Sequence, residues 1–239
     1  MKQERAARTR AALVRAAAET FAEYGFAGTT VARIAERAGL TLGAMYFHFK
    51  SKEELARLIV TSQPELAAPP LDSQGLQHAV DLTLSWAYEL PGNPVLQAAA
   101  RLVLDQRLFI EPHVNSHRRW TGLLLEDLEQ ARRRRELRAG VDTAACARLI
   151  VSSCTGAQIQ TRLETSYRDL PARVEEMWRC LLPALAVPSA AKKVVFGEER
   201  VRAAPRDASS SSSGYGLGTG TFGNVPEGAM GWTRGSDRS

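Results

Sequence analysis

The chain has 239 residues, 44% of them hydrophobic, which is material for two domains with buried cores. No run of eighteen apolar residues occurs, and residues 1–21 lack an apolar stretch with a small-residue cleavage site, so we expect a cytoplasmic protein with no membrane span and no secretory leader. The net charge of +5 is uneven: residues 1–60 carry ten Lys or Arg against six acids, residues 61–188 fourteen against fifteen, and residues 189–239 seven against five, so a polyanionic partner belongs to the first sixty residues.

Apolar residues recur at Leu13, Ala17 and Phe21 with the period of an amphipathic helix over residues 4–24, and Gly25 stands where a left-handed C-cap belongs. Thr30 caps a second helix, whose inward face is Val31, Ile34, Ala35 and Ala38 and which Gly39 ends. Thr41 caps a third, over residues 42–48, and Ser51 with Glu54 forms a capping box for a fourth that runs until Pro64. Beyond a Pro-rich break, residues 76–90, 95–109, 114–137, 142–168 and 170–185 read as helices, with Asp169 capping the last. After Pro188 the composition changes, residues 207–239 holding a five-serine run and eight of the eighteen glycines, and disorder is expected there. The fold is therefore all-α: a helix-turn-helix domain over residues 1–52, a larger helical bundle over 53–188, and a low-complexity tail over 189–239.

Ala35 and Gly39 stand four apart, as a helix-turn-helix requires of a small crossing residue and a turn residue that tolerates positive φ. Its second helix, over residues 42–48, is expected to reach base edges in the major groove with its first residues. Gly43 costs a helix about 1 kcal/mol relative to Ala, and close approach of the backbone to DNA is a reason to keep it. Tyr46 and His48 are placed to donate to phosphate oxygens, with Lys50 and Lys52 just beyond. Met45, Phe47 and Phe49 have nothing polar to offer and are expected to anchor the helix on the small core. Packing of three short helices with a solvated basic face is the plainer alternative.

Residues 30–55, "TVARIAERAGLTLGAMYFHFKSKEEL", resemble the DNA-binding stretch of TetR-family repressors, and the likeness covers residues 8–60. It implies a homodimer on a near-palindromic double-stranded DNA operator, released when a small molecule enters the C-terminal bundle. It also implies phosphate-side contacts from Thr30, Thr41, Tyr46, His48 and Lys52, with Leu42, Gly43 and Ala44 facing bases. Leu42 departs from the polar residue common at its position and favours an apolar contact such as a thymine methyl.

Further on, "RLVLDQ", "HRRWTGLLL" and "VEEMWRCLLPAL" are similar to the γ-butyrolactone autoregulator receptors of antibiotic-producing actinobacteria. That likeness implies control of secondary-metabolite genes and makes Trp120 the leading pocket residue, followed by Gln63, Trp86, Gln158, Thr161 and Trp178. A butyrolactone or furan-type inducer needs an apolar channel and one or two donors, whereas plain core packing is the competing account of the tryptophans. Leu149, Ile150, Cys154, Ala157 and Thr161 on one helix, and Met177, Leu181, Leu182 and Leu185 on the next, are expected to form the dimer interface, the alternative being burial within one subunit. Cys146, Cys154 and Cys180 have no CxxC spacing and are expected to be buried small residues, with no disulfide or zinc site. His113 and His117 lack a third metal ligand, Gly218, Gly220 and Gly223 have no preceding strand, and no nucleophile triad is visible, so neither catalysis nor a cofactor is expected. A pseudo-receptor answering to an antibiotic, and a small helical carrier or enzyme, are the other readings.

Overall fold

A computed structural model describes residues 2–62, 73–111 and 115–201. The elements are α1 (Lys2–Gly28), α2 (Val31–Arg37), α3 (Leu42–His48), α4 (Lys52–Thr61), α5 (Gly75–Glu89), α6 (Pro94–Leu102), α7 (Ser116–Arg133), α8 (Thr143–Glu164), α9 (Leu170–Leu185), α10 (Pro188–Ala191) and α11 (Glu198–Val201), with 3-10 turns at Leu90–Gly92 and Val103–Leu108. The fold is all-α; among the described residues the β pairing is one isolated bridge, Leu137 to Ala186.

Local chemistry sets most of the helix starts. The side-chain oxygens of Thr30, Thr41 and Ser51 accept from the backbone N–H of Arg33, Ala44 and Glu54, and Asn93, Asn115 and Asp142 do the same for α6, α7 and α8. Glu54 reaches back to the N–H of Lys50 at 2.7 Å, one residue earlier than the usual box. Gly25, at φ +70°, interrupts α1 three residues before its end, and Gly39, at φ +65°, makes the turn between α2 and α3.

Two cores result. Leu13, Phe21, Ile34, Met45 and Phe49 pack with Leu55, Ala56, Ile59 and Val60 of α4, so packing does not divide at residue 52. The larger core joins α5, α7, α8 and α9 through Leu84, Leu128, Ile150, Val174 and Trp178. Helix α6 belongs to both: Ala98, Ala99 and Leu102 face the first core, and Leu96 and Ala100 the second. Its Arg101 donates to the carbonyls of Ala22 (2.9 Å) and Glu23 (3.0 Å), in the turn just before the break at Gly25.

The structure corrects several expectations. Residues 189–201 are not a featureless tail: they form α10 and α11, bury Val201 and fasten to α5, where Arg200 donates to both oxygens of the buried Asp81 at 2.9 and 3.0 Å. The expected disorder from 202 onward, and the glycines 218–223, lie outside the described residues. The helix expected over 95–109 ends at Leu102 and tightens into a 3-10 turn. Asp169 does not cap α9 through an amide; its carboxylate takes the Thr165 hydroxyl and Arg173 instead, which holds its pKa below the ordinary carboxylate value. Ile150, Cys154, Thr161, Leu182 and Leu185 are buried within one subunit, which removes them from the expected dimer face. Cys180 is exposed and Cys146 half-buried, so only Cys154 fits the buried-cysteine expectation.

Candidate functional site

The first candidate surface is α3 and its approaches. Met45 and Phe49 point inward and are fully or almost fully buried, which fixes the opposite face outward. On that face Leu42 is 48% exposed, Tyr46 56% and Phe47 81%, and Thr41, Gly43 and Lys50 are exposed beside them. The anchoring role expected for Phe47 is therefore wrong: its ring stands in solvent, edge-on to His48 at 5.1 Å. A period of 3.6 explains the error, since Phe49 and Met45 share a face that Phe47 cannot reach. A Cβ on Gly43 would meet only Thr41 Oγ1, at 3.9 Å, so no neighbour within the chain demands glycine there. Ala44 and His48 are half-buried at the edges of the face.

Lys52 has a second employment. Its ammonium donates to the carbonyls of Phe26 (2.9 Å) and Thr29 (3.0 Å) and lies 4.4 Å from the centre of the Phe26 ring. It thereby ties the start of α4 to the segment between α1 and α2. Thr30, through its cap on Arg33, is exposed at the same end of α2. Arg33 also donates to Gly28 O and covers the Tyr24 ring at 4.3 Å, clamping α2 to α1.

The second candidate is a cavity of about 40 Å³ inside the large bundle. Thr83 and Trp86 of α5 line it, with Ser116, His117, Trp120 and Leu124 of α7 opposite. Val103 of the 3-10 turn and Val151, Cys154, Thr155 and Gln158 of α8 complete it. The Trp86 and Trp120 rings meet at 6.5 Å and 65°. Of the six residues expected here, Trp120, Trp86 and Gln158 are brought together. Trp178 is fully buried beneath the cavity and reaches it only through Thr83, to which its indole N–H donates at 2.8 Å. Thr161 is fully buried one turn beyond Gln158 and does not line the cavity. Gln63 lies outside the described residues, as does His113.

Sequence reasoning missed His117, Thr155, Thr83 and Ser116. The i, i+3 spacing of His117 with Trp120 was a visible signal; the meeting of α7 with α8 was not. His117 Nε2 is 3.3 Å from Thr155 Oγ1, and that hydroxyl donates to Val151 O at 2.9 Å. Burial lowers the His117 pKa and pushes the Cys154 thiol up to about 12, so both are held uncharged. Among the described residues no Lys, Arg, Asp or Glu lines the cavity and no cluster of three metal-ligating side chains occurs.

Among the described residues, hydrogen bonds tie the cavity to the N-terminal helices. Gln158 donates to Ala100 O of α6 at 3.0 Å, one residue before the Arg101 that holds α1. Arg119, the neighbour of Trp120, donates to Thr61 O at the end of α4 at 2.6 Å. Among the described residues no helix is long and apolar enough to cross a membrane.

Comparison with known proteins agrees with this division. Residues 13–59 match the family described as bacterial regulatory proteins, tetR family, and residues 73–188 match the tetracyclin repressor-like C-terminal domain. The A-factor receptor protein of Streptomyces griseus is 34% identical over 187 residues, 78% of this chain and 67% of that one. The solved structure of TylP, a TetR regulator from Streptomyces fradiae, superposes with a TM-score of 0.74 at 38% identity, covering 82% of this chain and 95% of that chain. A γ-butyrolactone receptor described as ArpA-like superposes with a TM-score of 0.63 at 28% identity, over 79% of this chain and 93% of that one. These relatives are regulators of transcription rather than enzymes, and the chain belongs to the TetR family of DNA-binding repressors.

Proposed function

We propose that the protein is a homodimeric repressor that leaves a near-palindromic operator when a small signalling molecule of the γ-butyrolactone or furan type enters the bundle, and that it thereby controls secondary-metabolite genes. The observation that carries this reading is the Trp86–Trp120 cavity, mostly apolar and joined to α4 and α6 by hydrogen bonds. A volume of about 40 Å³ holds a few waters, so a ligand with an alkyl tail enters only by moving a wall. Ligand therefore favours an opened bundle in which the recognition helices no longer match adjacent grooves, a shift of populations set by its differential affinity.

On the DNA side, Leu42, Gly43 and Ala44 face bases, and Thr30, Thr41, Tyr46, His48, Lys50 and Lys52 face the sugar-phosphate backbone. Gly43 is kept for the approach of DNA, and exposed Phe47 joins Leu42 as an apolar contact. Lys52 contributes partly by positioning, since two of its donors already serve carbonyls. The dimer face draws on the apolar and small residues left exposed or half-exposed on α8 and α9, among them Leu149, Ala157, Ile159 and Leu163, with Met177, Cys180, Leu181 and Ala184. Two copies joined there present α3 at roughly 34 Å, one turn of DNA.

The test is a gel shift with the chain's own promoter DNA, titrated with alkyl butyrolactones and alkyl furans. Release by one class is expected, and Trp120→Ala should need at least about tenfold more inducer. Indifference to both classes at saturation would point instead to a pseudo-receptor.

A further inference from the structure

Resting on the ligand-responsive reading above, we propose that His117 determines ligand specificity. It presents a neutral ring nitrogen that accepts a hydrogen bond from a hydroxyl of an uncharged ligand, and the cavity discriminates against the matching carboxylate.

His117 and Trp120 are one turn apart on the same face of α7, and both line the cavity. Opposite them, the Thr155 hydroxyl donates its proton to Val151 O at 2.9 Å, the back-bond of a threonine within a helix. What the Thr155 oxygen has left is the capacity to accept, and His117 Nε2, at 3.3 Å, is the donor that meets it. An uncharged imidazole with its proton on Nε2 carries a bare lone pair on Nδ1. Burial, which lowers the pKa of His117, opposes adding a second proton. The indole N–H of Trp120 has no hydrogen-bond partner among the described residues, so one turn of α7 supplies the cavity with residues that carry an acceptor and a donor.

The rest of the wall decides the charge of the guest. Val103, Leu124, Val151 and the Trp86 ring are apolar, and among the described residues no cationic side chain lines the cavity. A carboxylate brought here faces the Nδ1 lone pair. Otherwise it must come with a proton for His117 and bury an ion pair whose desolvation roughly cancels its attraction. An intact lactone or ester with a free hydroxyl incurs neither cost, and its hydroxyl and carbonyl match the acceptor and donor on α7.

Three probes on one scaffold test this with the full chain, read by quenching of tryptophan fluorescence at neutral pH. They are an alkyl γ-butyrolactone bearing a side-chain hydroxyl, its deoxy analogue, and the hydroxycarboxylate obtained by opening the ring with base. The hydroxylated lactone should bind about tenfold tighter than either of the others, because a site built around a ligand hydroxyl rejects the analogue that lacks it. His117→Phe should equalise the two lactones. Should that variant fail to fold, Thr155→Val, which removes the oxygen that holds Nε2–H, should weaken the same preference. Carboxylate binding as tight as that of the lactone, or a hydroxyl preference that survives the variant that folds, overturns the assignment while leaving the receptor reading standing. Silence of all three probes sinks the receptor reading and this inference together.

Discussion

Lys52, proposed as a phosphate contact, already serves the fold. Its ammonium is fixed by two carbonyls and the face of Phe26, in a half-buried setting where water competes less for the donors. Replacing it by methionine keeps the aliphatic stem but removes two hydrogen bonds to a charged donor and a cation–π contact, for a loss of about 2 kcal/mol. Urea denaturation should show that loss in the absence of DNA, whereas a lysine devoted to phosphate alone would leave the midpoint unchanged. Such a positioning role was not legible in the sequence, because Phe26 and Thr29 lie 26 and 23 residues away. Glycines tell a similar story: the need for positive φ at Gly25 and Gly39 was readable from their places at helix ends. Gly75 was not, although a Cβ there would stand 2.5 Å from Glu136 Oε2 and 3.3 Å from the Ala131 backbone, because its neighbours come from the far end of α7 and the turn beyond it.

At the scale of elements, whatever was written within four residues could be read. Thr30, Thr41 and Ser51 each cap the helix expected of them, since an N-cap bond spans three residues and carries its own sequence pattern. The strap over residues 189–201 escaped notice because its anchor spans 119 residues, from Arg200 to Asp81. Asp81 is fully buried, and its other partner is Gln77, which also bonds Val195 in both directions. Arg200→Ala would leave a buried carboxylate without its cation, and since the guanidinium side chain is itself 29% exposed the loss should be about 3 kcal/mol, at the low end for buried pairs. Calorimetric melting should report it as a lower midpoint. The pair Asp81→Asn with Arg200→Met should lose less than Arg200→Ala alone, because no orphaned charge remains. An equal loss in both would mean that the strap is held by Val201 and Phe196 packing instead.

For the whole molecule the decisive feature, among the described residues, is the pair of polar ties from Gln158 to Ala100 O and from Arg119 to Thr61 O that join the bundle to the N-terminal helices. Helix α6 contributes an apolar wall to both cores, a rigid link that transmits displacement rather than absorbing it. Helix α7 contributes a single turn in which Trp120 faces the cavity and Arg119 grips Thr61 O at the end of α4. In the proposed mechanism a wall that moves to admit a ligand drags Arg119 with it, and α4 begins four residues after the last residue of α3. Removing the tie with Arg119→Ala should therefore weaken coupling more than stability, since the side chain is largely solvent-exposed at that surface. The coupling factor, the ratio of operator affinities without and with saturating inducer, should fall about threefold to tenfold, or roughly 1 kcal/mol. Because linkage is reciprocal, the penalty that operator DNA imposes on inducer binding must shrink by the same factor. Measuring both sides separates a lost tie from a damaged cavity: a weaker inducer affinity with an unchanged ratio would place Arg119 in ligand binding rather than in the connection between the two sites.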